Sequence, residues 1–217
     1  QPVEAFYSTR ARLCFLPRPN SPSGVCPPRE AVERLCRELD GLVVIDEAYA
    51  DFADDNCMDF PRRFENAIVA RTFSKSFSMA GIRLGVAVAR PEIIREFLKV
   101  KDSYNLNAAS QAAGIAAMDS YAHMEQNVQR VRATRVRLTE ALRALGFRVP
   151  PSQSNFVLAQ WDGAPPARAL FEALRERAIV VRYFAARRLD NALRITVGSD
   201  EEVRALLEAL TDIIGRR

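Results

Sequence analysis

The chain has 217 residues, 48% of them hydrophobic and 27% charged, with a net charge of +4. This composition is typical of soluble globular proteins, and the length is sufficient for one or two domains with a sizeable core. The mild positive charge suits anionic ligands. We predict no nucleic-acid binding, because acidic residues are nearly as numerous as basic ones. We predict no membrane span, because no apolar run reaches the roughly 18 residues that a span needs.

The N-terminus and the cysteines add further expectations. Residues 1–5 are neither basic nor part of a long apolar run, so we predict no signal peptide. Because the sequence has no initial Met, we expect the chain to begin inside a longer protein. The four cysteines are widely spaced and His123 is the only histidine, so we predict no metal site. The cysteines are expected to be thiols in a reducing cytoplasm.

Short apolar runs alternate with helical patterns through the first half of the chain. We predict strands at 12–16, 42–45, 67–72 and 84–89, and helices at 27–40 and 91–101. Strands of this kind between helices are typical of an α/β fold, with a mostly parallel sheet covered by helices. In such sheets ligands bind at the carboxyl ends of the strands.

The second half follows a different order. We predict helices at 108–118, 121–145, 165–177 and 199–214, and strands at 155–159, 179–182 and 193–197. The last helix is expected to open with a capping box, from Ser199 to Glu202. The spacing of the arginines in the long helix distributes them around it, alongside apolar residues. We therefore interpret them as solvated and not as a nucleic-acid-binding surface. Residues 1–120 are therefore predicted to form one domain and 121–217 a smaller α+β domain, joined by the long helix.

The loop between the third and fourth predicted strands carries the most reactive group. Lys75 lies among small hydroxyl residues, and Arg83 follows in a Gly-Ile-Arg-Leu-Gly turn. An amine held there could attack an aldehyde, while Thr72, Ser74 and Arg83 bind a phosphate dianion. The alternative is a Ser-rich surface loop with a solvated lysine.

Three further motifs accompany this loop: Pro-Asn-Ser-Pro-Ser-Gly from Pro19, Asp-Glu-Ala-Tyr from Asp46, and Leu-Arg-Ile-Thr-Val-Gly from Leu193. In this order the motifs resemble those of the fold-type I pyridoxal-phosphate (PLP) aminotransferases, and within them the histidinol-phosphate aminotransferase family. The resemblance runs from about Leu13 to the C-terminus. It implies a partial PLP-transferase type I fold, in which residues 1–120 are the remainder of the large cofactor-binding domain.

The resemblance implies a role for each residue in these motifs. Lys75 would bind the cofactor covalently and then act as the catalytic base. Asp46 would pair with the pyridine nitrogen, and Tyr49 would hydrogen-bond the phenolic oxygen. In the family an asparagine usually shares that last contact, but here the position is Ser21, with Asn20 one residue earlier. The implied cofactor-binding residues are Asn20, Ser21, Asp46, Tyr49, Thr72, Ser74, Lys75 and Arg83.

Three residues are implied to bind substrate. Arg194 would hold an α-carboxylate through two hydrogen bonds, and Arg182 would reach a substrate phosphate or a distal carboxylate. Asn155 matches a family position near the substrate.

The implied reaction is transamination between glutamate and imidazole acetol phosphate, in histidine biosynthesis. Alternatives are a phosphothreonine decarboxylase, another class I or II aminotransferase, or a catalytically incompetent fragment or paralogue that only binds a partner. The family's long N-terminal part has no counterpart here, so we expect this chain to be the C-terminal part of a longer enzyme. A homodimer is implied, with Tyr104 and Asn105 near the neighbouring subunit.

Overall fold

In this computed structural model, Phe6 and residues 10–215 are described, and the chain divides into two compact units. The first contains the residues up to Asn20 and then Cys26–Val128. The second contains Ser21–Val25 and the residues from Gln129 onward. The division therefore falls inside the long helix, and a five-residue segment from the start of the chain belongs to the second unit.

The first unit is built on a four-stranded sheet in the order β1-β2-β3-β4, formed by β1 (Leu13–Pro17), β2 (Leu42–Asp46), β3 (Ala67–Thr72) and β4 (Gly85–Val88). The first three strands are parallel, and β4 is antiparallel to β3. A parallel return would need a crossover, usually through a helix, and no α-helix lies between β3 and β4. The predicted α/β fold with a mostly parallel sheet is confirmed.

The helices of this unit are α1 (Arg29–Glu38), α2 (Phe60–Arg63), α3 (Pro91–Val100), α4 (Ala108–Asp119) and the first part of α5 (Tyr121–Ala144). Apolar residues at helical spacing on α1, including Val32 and Leu35, pack into one core with Val43 and Ile45 of β2. This packing fixes the strand ends from which the site residues project. Helix α2 is absent from the sequence prediction because four residues are too few to show a period.

The second unit has a three-stranded antiparallel sheet in the order β5-β7-β6, formed by β5 (Phe156–Gln160), β6 (Arg182–Tyr183) and β7 (Ala192–Thr196). Helices α6 (Ala167–Glu176) and α7 (Asp200–Gly215) contribute to its core with the C-terminal part of α5. The predicted capping box of α7 is confirmed. The Ser199 amide donates to Glu202 Oε2 at 2.7 Å, and the Glu202 amide donates to Ser199 Oγ at 3.2 Å.

The predicted strand 179–182 is wrong for most of its length, since only Arg182 and Tyr183 pair with β7. Ala178 adopts a positive φ of 60° after α6, and the Ile179 amide bonds back to the Leu174 carbonyl at 2.9 Å. Ile179 and Val181 then pack on the core without a partner strand, so their hydrophobicity reflects burial and not ladder formation.

The interpretation of the α5 arginines as a solvated face is wrong for Arg135. This residue is buried, and its Nη1 donates to the Ser154 carbonyl at 2.7 Å. Arg143 donates to the Val149 carbonyl at 2.7 Å. Both guanidinium groups therefore fasten the helix to the segment that leads into β5.

All four cysteines are free thiols, and Cys14, Cys36 and Cys57 are buried. Burial raises the pKa of the Cys36 thiol to about 12, so this thiol stays protonated at neutral pH. No helix among the described residues is long and apolar enough to cross a membrane. Within the same residues, no group of three or more His, Cys, Asp or Glu side chains could hold a metal ion.

Candidate active site

The carboxyl edge of the parallel strands carries the first group of predicted site residues. Asp46 is the last residue of β2 and lies beside Pro17 of β1 and Ala70 of β3 in the sheet register. Its carboxylate is exposed, and Oδ1 accepts the Ala48 amide at 3.0 Å, which turns the chain sharply after the strand. The turn leads directly to Tyr49 and to a 3₁₀ helix, Ala50–Phe52.

Lys75 lies in the loop that follows β3. The loop is closed by two backbone hydrogen bonds of 3.0 Å, from the Ser78 amide to the Lys75 carbonyl and from the Met79 amide to the Phe73 carbonyl. Lys75 is half-buried, and its Nζ lies 5.1 Å from the centroid of the Tyr49 ring, within the range of a cation–π contact. The structure therefore brings the predicted reactive amine and the predicted phenol together.

Thr72 and Ser74 also lie together, at the start of this loop. The Thr72 hydroxyl accepts the Ser74 amide at 3.1 Å and reaches the Leu84 carbonyl at 3.4 Å. Arg83 adopts a left-handed conformation, with φ of 57°, and its Nη1 donates to the Ala80 carbonyl at 3.0 Å. The contact seen for Arg83 is thus within its own turn, and its guanidinium group is exposed.

Helix α4 supports the turn that carries Arg83. The Ser110 hydroxyl donates to the Ile82 carbonyl at 2.7 Å. A Cβ atom on Gly114 would lie 2.5 Å from Leu84 Cδ2, so the absence of a side chain allows the close approach of helix and turn. The small residues of α4 therefore allow the helix to pack closely against the turn that carries Arg83.

A buried ionic network beneath this edge was missed at the level of the sequence. Glu47 and Arg18 are each only 1% exposed. Glu47 Oε1 accepts the Cys57 amide at 2.5 Å and lies 3.8 Å from Arg18 Nη1, while Oε2 lies 3.5 Å from Arg71 Nε. Burial raises the pKa of Glu47, and the nearby Arg71 opposes that effect. The available signal was a second acid directly after Asp46 at the end of an apolar strand.

The predicted substrate arginines lie in the second unit. Arg182 of β6 and Arg194 of β7 are paired across the antiparallel sheet, so their side chains leave the same face. The Arg194 guanidinium lies 5.0 Å from the centroid of Phe156 and 5.8 Å from that of Phe184. Arg182 lies 5.3 Å from the same Phe184 ring. Two cations and two aromatic rings therefore share one face of this sheet.

Ser21 and Asn155 also belong to the second unit. Arg194 Nη1 donates to Ser21 Oγ at 3.1 Å, so the residue in place of the family's asparagine contacts the predicted carboxylate-binding arginine. The Asn155 carbonyl accepts the Val197 amide at 2.9 Å, which ties the start of β5 to the end of β7. Asn20 lies in the first unit, one residue from the division. The cofactor contacts of Asn20 and Ser21 remain predictions.

The donor set of the first unit matches the chemistry of a phosphorylated pyridine aldehyde. Lys75 offers an amine for the aldehyde, Asp46 an exposed carboxylate for a ring nitrogen, and Tyr49 a phenol for a ring oxygen. Thr72 and Ser74 supply hydroxyl groups for a phosphate, and the strand ends place all five at one edge of the sheet. The residues present therefore fit pyridoxal phosphate.

The partial α/β fold, with a lysine loop at the carboxyl edge of its sheet, is that of the PLP-transferase type I class of proteins. The chain belongs to the aminotransferase class I and II family, whose sequence model matches residues 3–210. It is 46% identical over 205 residues to the histidinol-phosphate aminotransferase of Syntrophotalea carbinolica, covering 93% of this chain and 58% of that protein. The enzyme of the same name from Microcystis aeruginosa is 46% identical over 208 residues, with 94% and 59% covered.

Solved structures of this fold superpose on almost the whole chain. The histidinol-phosphate aminotransferase from Sinorhizobium meliloti, in complex with pyridoxal-5'-phosphate, superposes with a TM-score of 0.89 at 28% identity, over 98% of this chain and 60% of that one. The L-threonine-O-3-phosphate decarboxylase from Porphyromonas gingivalis superposes with a TM-score of 0.83 at 24% identity, over 94% and 65%. At that identity the likeness concerns the fold alone. The chain thus spans about three fifths of the length of these proteins.

Proposed function

We propose that the complete protein containing this chain is a histidinol-phosphate aminotransferase that uses pyridoxal phosphate. The observation that carries the proposal is the Lys75 amine held over the Tyr49 ring, 5.1 Å from its centroid, at the carboxyl edge of the parallel strands. The 46% identity to enzymes of that name supports the choice of substrate over the same-fold decarboxylase. The catalytic and cofactor-binding residues proposed are those of the donor set, together with Asn20, Ser21 and Arg83.

Each residue has a task that follows from its chemistry. When bound, pyridoxal phosphate supplies an electron sink for the bond that breaks at the substrate's α-carbon. Lys75 accepts the proton from the α-carbon of the amino donor and, in the second half-reaction, gives a proton to the corresponding carbon of the acceptor, since a primary amine can act first as a base and then as an acid. Asp46 keeps a proton on the ring nitrogen by its negative charge. Thr72, Ser74 and Arg83 bind the phosphate and so fix the ring's orientation.

The second unit supplies the proposed substrate contacts. Arg194 binds the α-carboxylate of glutamate, because a planar guanidinium matches a carboxylate with two parallel hydrogen bonds. Arg182, on the same face of the sheet, binds the distal carboxylate of glutamate or the phosphate of the imidazole substrate. Asn155 directly precedes β5 and is next to Phe156, whose ring lies beneath Arg194.

We further propose that the protein is a cytoplasmic homodimer. The free, buried thiols are consistent with a reducing compartment. Tyr104 is 92% exposed, and a large aromatic side chain so exposed is suited to a subunit interface.

The test uses the complete protein that carries this sequence, in its natural form and as Lys75→Ala. The amine donor is glutamate and the acceptor is imidazole acetol phosphate. We expect Lys75→Ala to lose transamination by several orders of magnitude while retaining its circular dichroism spectrum. Lys99→Ala is the matched control, because Lys99 is an exposed lysine paired only with Glu96 in the described contacts.

Borohydride reduction followed by peptide mapping gives a second readout. A pyridoxyl group on the peptide containing Lys75 supports the proposal. Near-normal turnover of Lys75→Ala, or a pyridoxyl group on Lys99 or Lys101 alone, would overturn it. Release of carbon dioxide from phosphothreonine, without transamination, would replace it with the decarboxylase.

A further inference from the structure

The turn after β2 and the lysine loop touch at two successive points. Tyr49 lies against the Lys75 amine, and two residues further on Asp51 Oδ2 accepts the Ser76 hydroxyl. Ser76 is buried, so its hydroxyl has little access to water as an alternative partner. Adjacent residues of the loop are thus held by neighbouring residues of the turn.

Asp51 is itself held in place. Its other oxygen, Oδ1, accepts Arg71 Nη1 at 3.1 Å, and Arg71 Nε faces the buried Glu47 carboxylate. Arg71 lies on β3, and Glu47 directly follows β2. The carboxylate that binds Ser76 is therefore fixed to two central strands of the sheet through a chain of ionic contacts.

We propose that Asp51 is a positioning residue for Lys75, acting through the Ser76 hydroxyl, an inference that rests on the proposed function. A lysine side chain has four rotatable bonds, so the position of its amine depends on a fixed backbone. Anchoring residue 76 to Asp51 fixes that backbone immediately beyond Lys75. Tyr49 then limits the remaining freedom of the amine. None of the proposed roles of Asp46, Thr72 or Arg83 requires Asp51.

The test compares Asp51→Ala, Ser76→Ala and the double variant in the complete protein. Hydrogen exchange of the amides of residues 73–78 is measured in the cofactor-free protein, and kcat and KM are measured with the cofactor. We expect loop exchange to accelerate about tenfold or more in both single variants, because each loses a hydrogen bond to a charged group. We expect kcat to fall about ten- to a hundredfold, with KM for glutamate changed less than about threefold.

The double variant separates positioning from general weakening. If Asp51 acts through Ser76, the double variant should match the single variants within about twofold in loop exchange and in kcat. Effects that multiply would overturn the proposal. Unchanged loop exchange in Asp51→Ala would overturn it as well.

Two further variants guard against loss of the fold. Glu33→Ala is the control for loss of a partly exposed carboxylate. The Glu33 side chain is 19% exposed, against 22% for Asp51, and Glu33 on α1 pairs with Arg63 on α2 at 2.6 Å. This variant should leave loop exchange and the kcat-to-KM pattern unchanged, and an equal effect would contradict the proposal. Asp51→Asn keeps an acceptor for Ser76 and should cost less than Asp51→Ala, whereas a larger cost would count against the contact.

The outcome for Asp51 is separable from that of the proposed function. If borohydride reduction labels no Lys75 in the natural protein, the aminotransferase assignment of this lysine fails. The exchange measurements on the cofactor-free protein still decide whether Asp51 holds the loop through Ser76.

Discussion

At the scale of single residues, Arg194 is constrained from two sides. The Phe156 ring lies 5.0 Å from its guanidinium group, and Ser21 Oγ accepts Nη1 at 3.1 Å. The ring and the hydroxyl group together restrict the orientation of the guanidinium. Such a group is prepared for a planar anion before the anion arrives, which reduces the entropy lost on binding.

Arg194→Ala should weaken glutamate more than histidinol phosphate, because only glutamate offers an α-carboxylate. Loss of hydrogen bonds to a charged group costs about 1.5–3 kcal/mol, or roughly ten- to a hundredfold in kcat/KM. Steady-state kinetics with each substrate in turn measure the difference. Arg148→Ala is the control, since Arg148 lies outside the Arg182–Arg194 pair and contacts Gln160 and Asp162. Equal losses for both substrates would argue against carboxylate binding by Arg194.

At the scale of elements, helix α5 contains arginines whose burial cannot be told apart from its sequence. Arg135 and Arg130 both lie among apolar positions, yet Arg135 is buried against Ser154 and Arg130 is exposed. We expect Arg135→Ala to lower the free energy of unfolding of the protein by about 1–3 kcal/mol, because the Ser154 carbonyl loses its charged donor. Arg130→Ala should change it little. Denaturant unfolding compares the two variants, and equal stabilities would show that the Arg135 contact contributes nothing.

The contact between Arg29 of α1 and Asp59, directly before α2, contributes to the free energy of unfolding in a pH-dependent way. Arg29 Nη1 and Nη2 lie 2.8 Å from Asp59 Oδ1 and Oδ2, and this pairing lowers the pKa of Asp59 to about 2. Since the folded-state pKa lies below the unfolded value of roughly 3.9, the pair stabilises the fold above about pH 4, and the effect is lost as pH falls towards 2. Because the pair is partly exposed, we expect Asp59→Asn to cost less than about 1 kcal/mol at pH 6.

The stability difference between the natural protein and Asp59→Asn should therefore shrink between pH 5 and pH 2. Unfolding by denaturant at each pH measures it. Glu65→Gln is the control, an exposed acid in the turn after α2. A difference that stays constant over this range would show that Asp59 is not held ionised by Arg29.

The elements also show what could be predicted from sequence. Strands β1 to β3 are short apolar runs, and helices α1 and α3 have apolar residues at helical spacing. These patterns predict the sheet edge where Asp46 and Lys75 lie. The Glu47–Arg71–Asp51–Ser76 network could not be predicted, because it joins residues from separate strands whose pairing depends on tertiary packing. The strand predicted at 179–182 is largely wrong because hydrophobicity alone does not separate a strand from a loop whose apolar residues, here Ile179 and Val181, pack on the core.

At the scale of the whole molecule, the two units divide the predicted residues by chemistry. The first holds the groups that suit a phosphorylated pyridine aldehyde, among them Lys75 and Asp46. The second holds those that suit carboxylates, Arg182 and Arg194. The segment Ser21–Val25 follows β1 in the chain but belongs to the second unit, where the Gln153 amide donates to the Gly24 carbonyl at 2.8 Å. The motif that begins at Pro19 is thus a connection between units as well as a predicted part of the site.

The isolated 217-residue chain should self-associate, because α3 and α4 expose large apolar side chains. Val100 is 83% exposed and Ile115 is 66% exposed, and the buried residues of α4 are only Ser110 and Gly114. A helix composed so largely of small apolar residues is normally covered, and exposed apolar surface of this kind promotes association. Sedimentation velocity across a range of concentrations should show species larger than a monomer.

The double variant Val100→Ser and Ile115→Ser should shift the distribution towards monomer. Val136→Ser, which removes an exposed apolar side chain from α5, should not. If the isolated chain sediments as a monomer at all concentrations, or if Val136→Ser is as effective as the double variant, the apolar residues of α3 and α4 are not the contact surface.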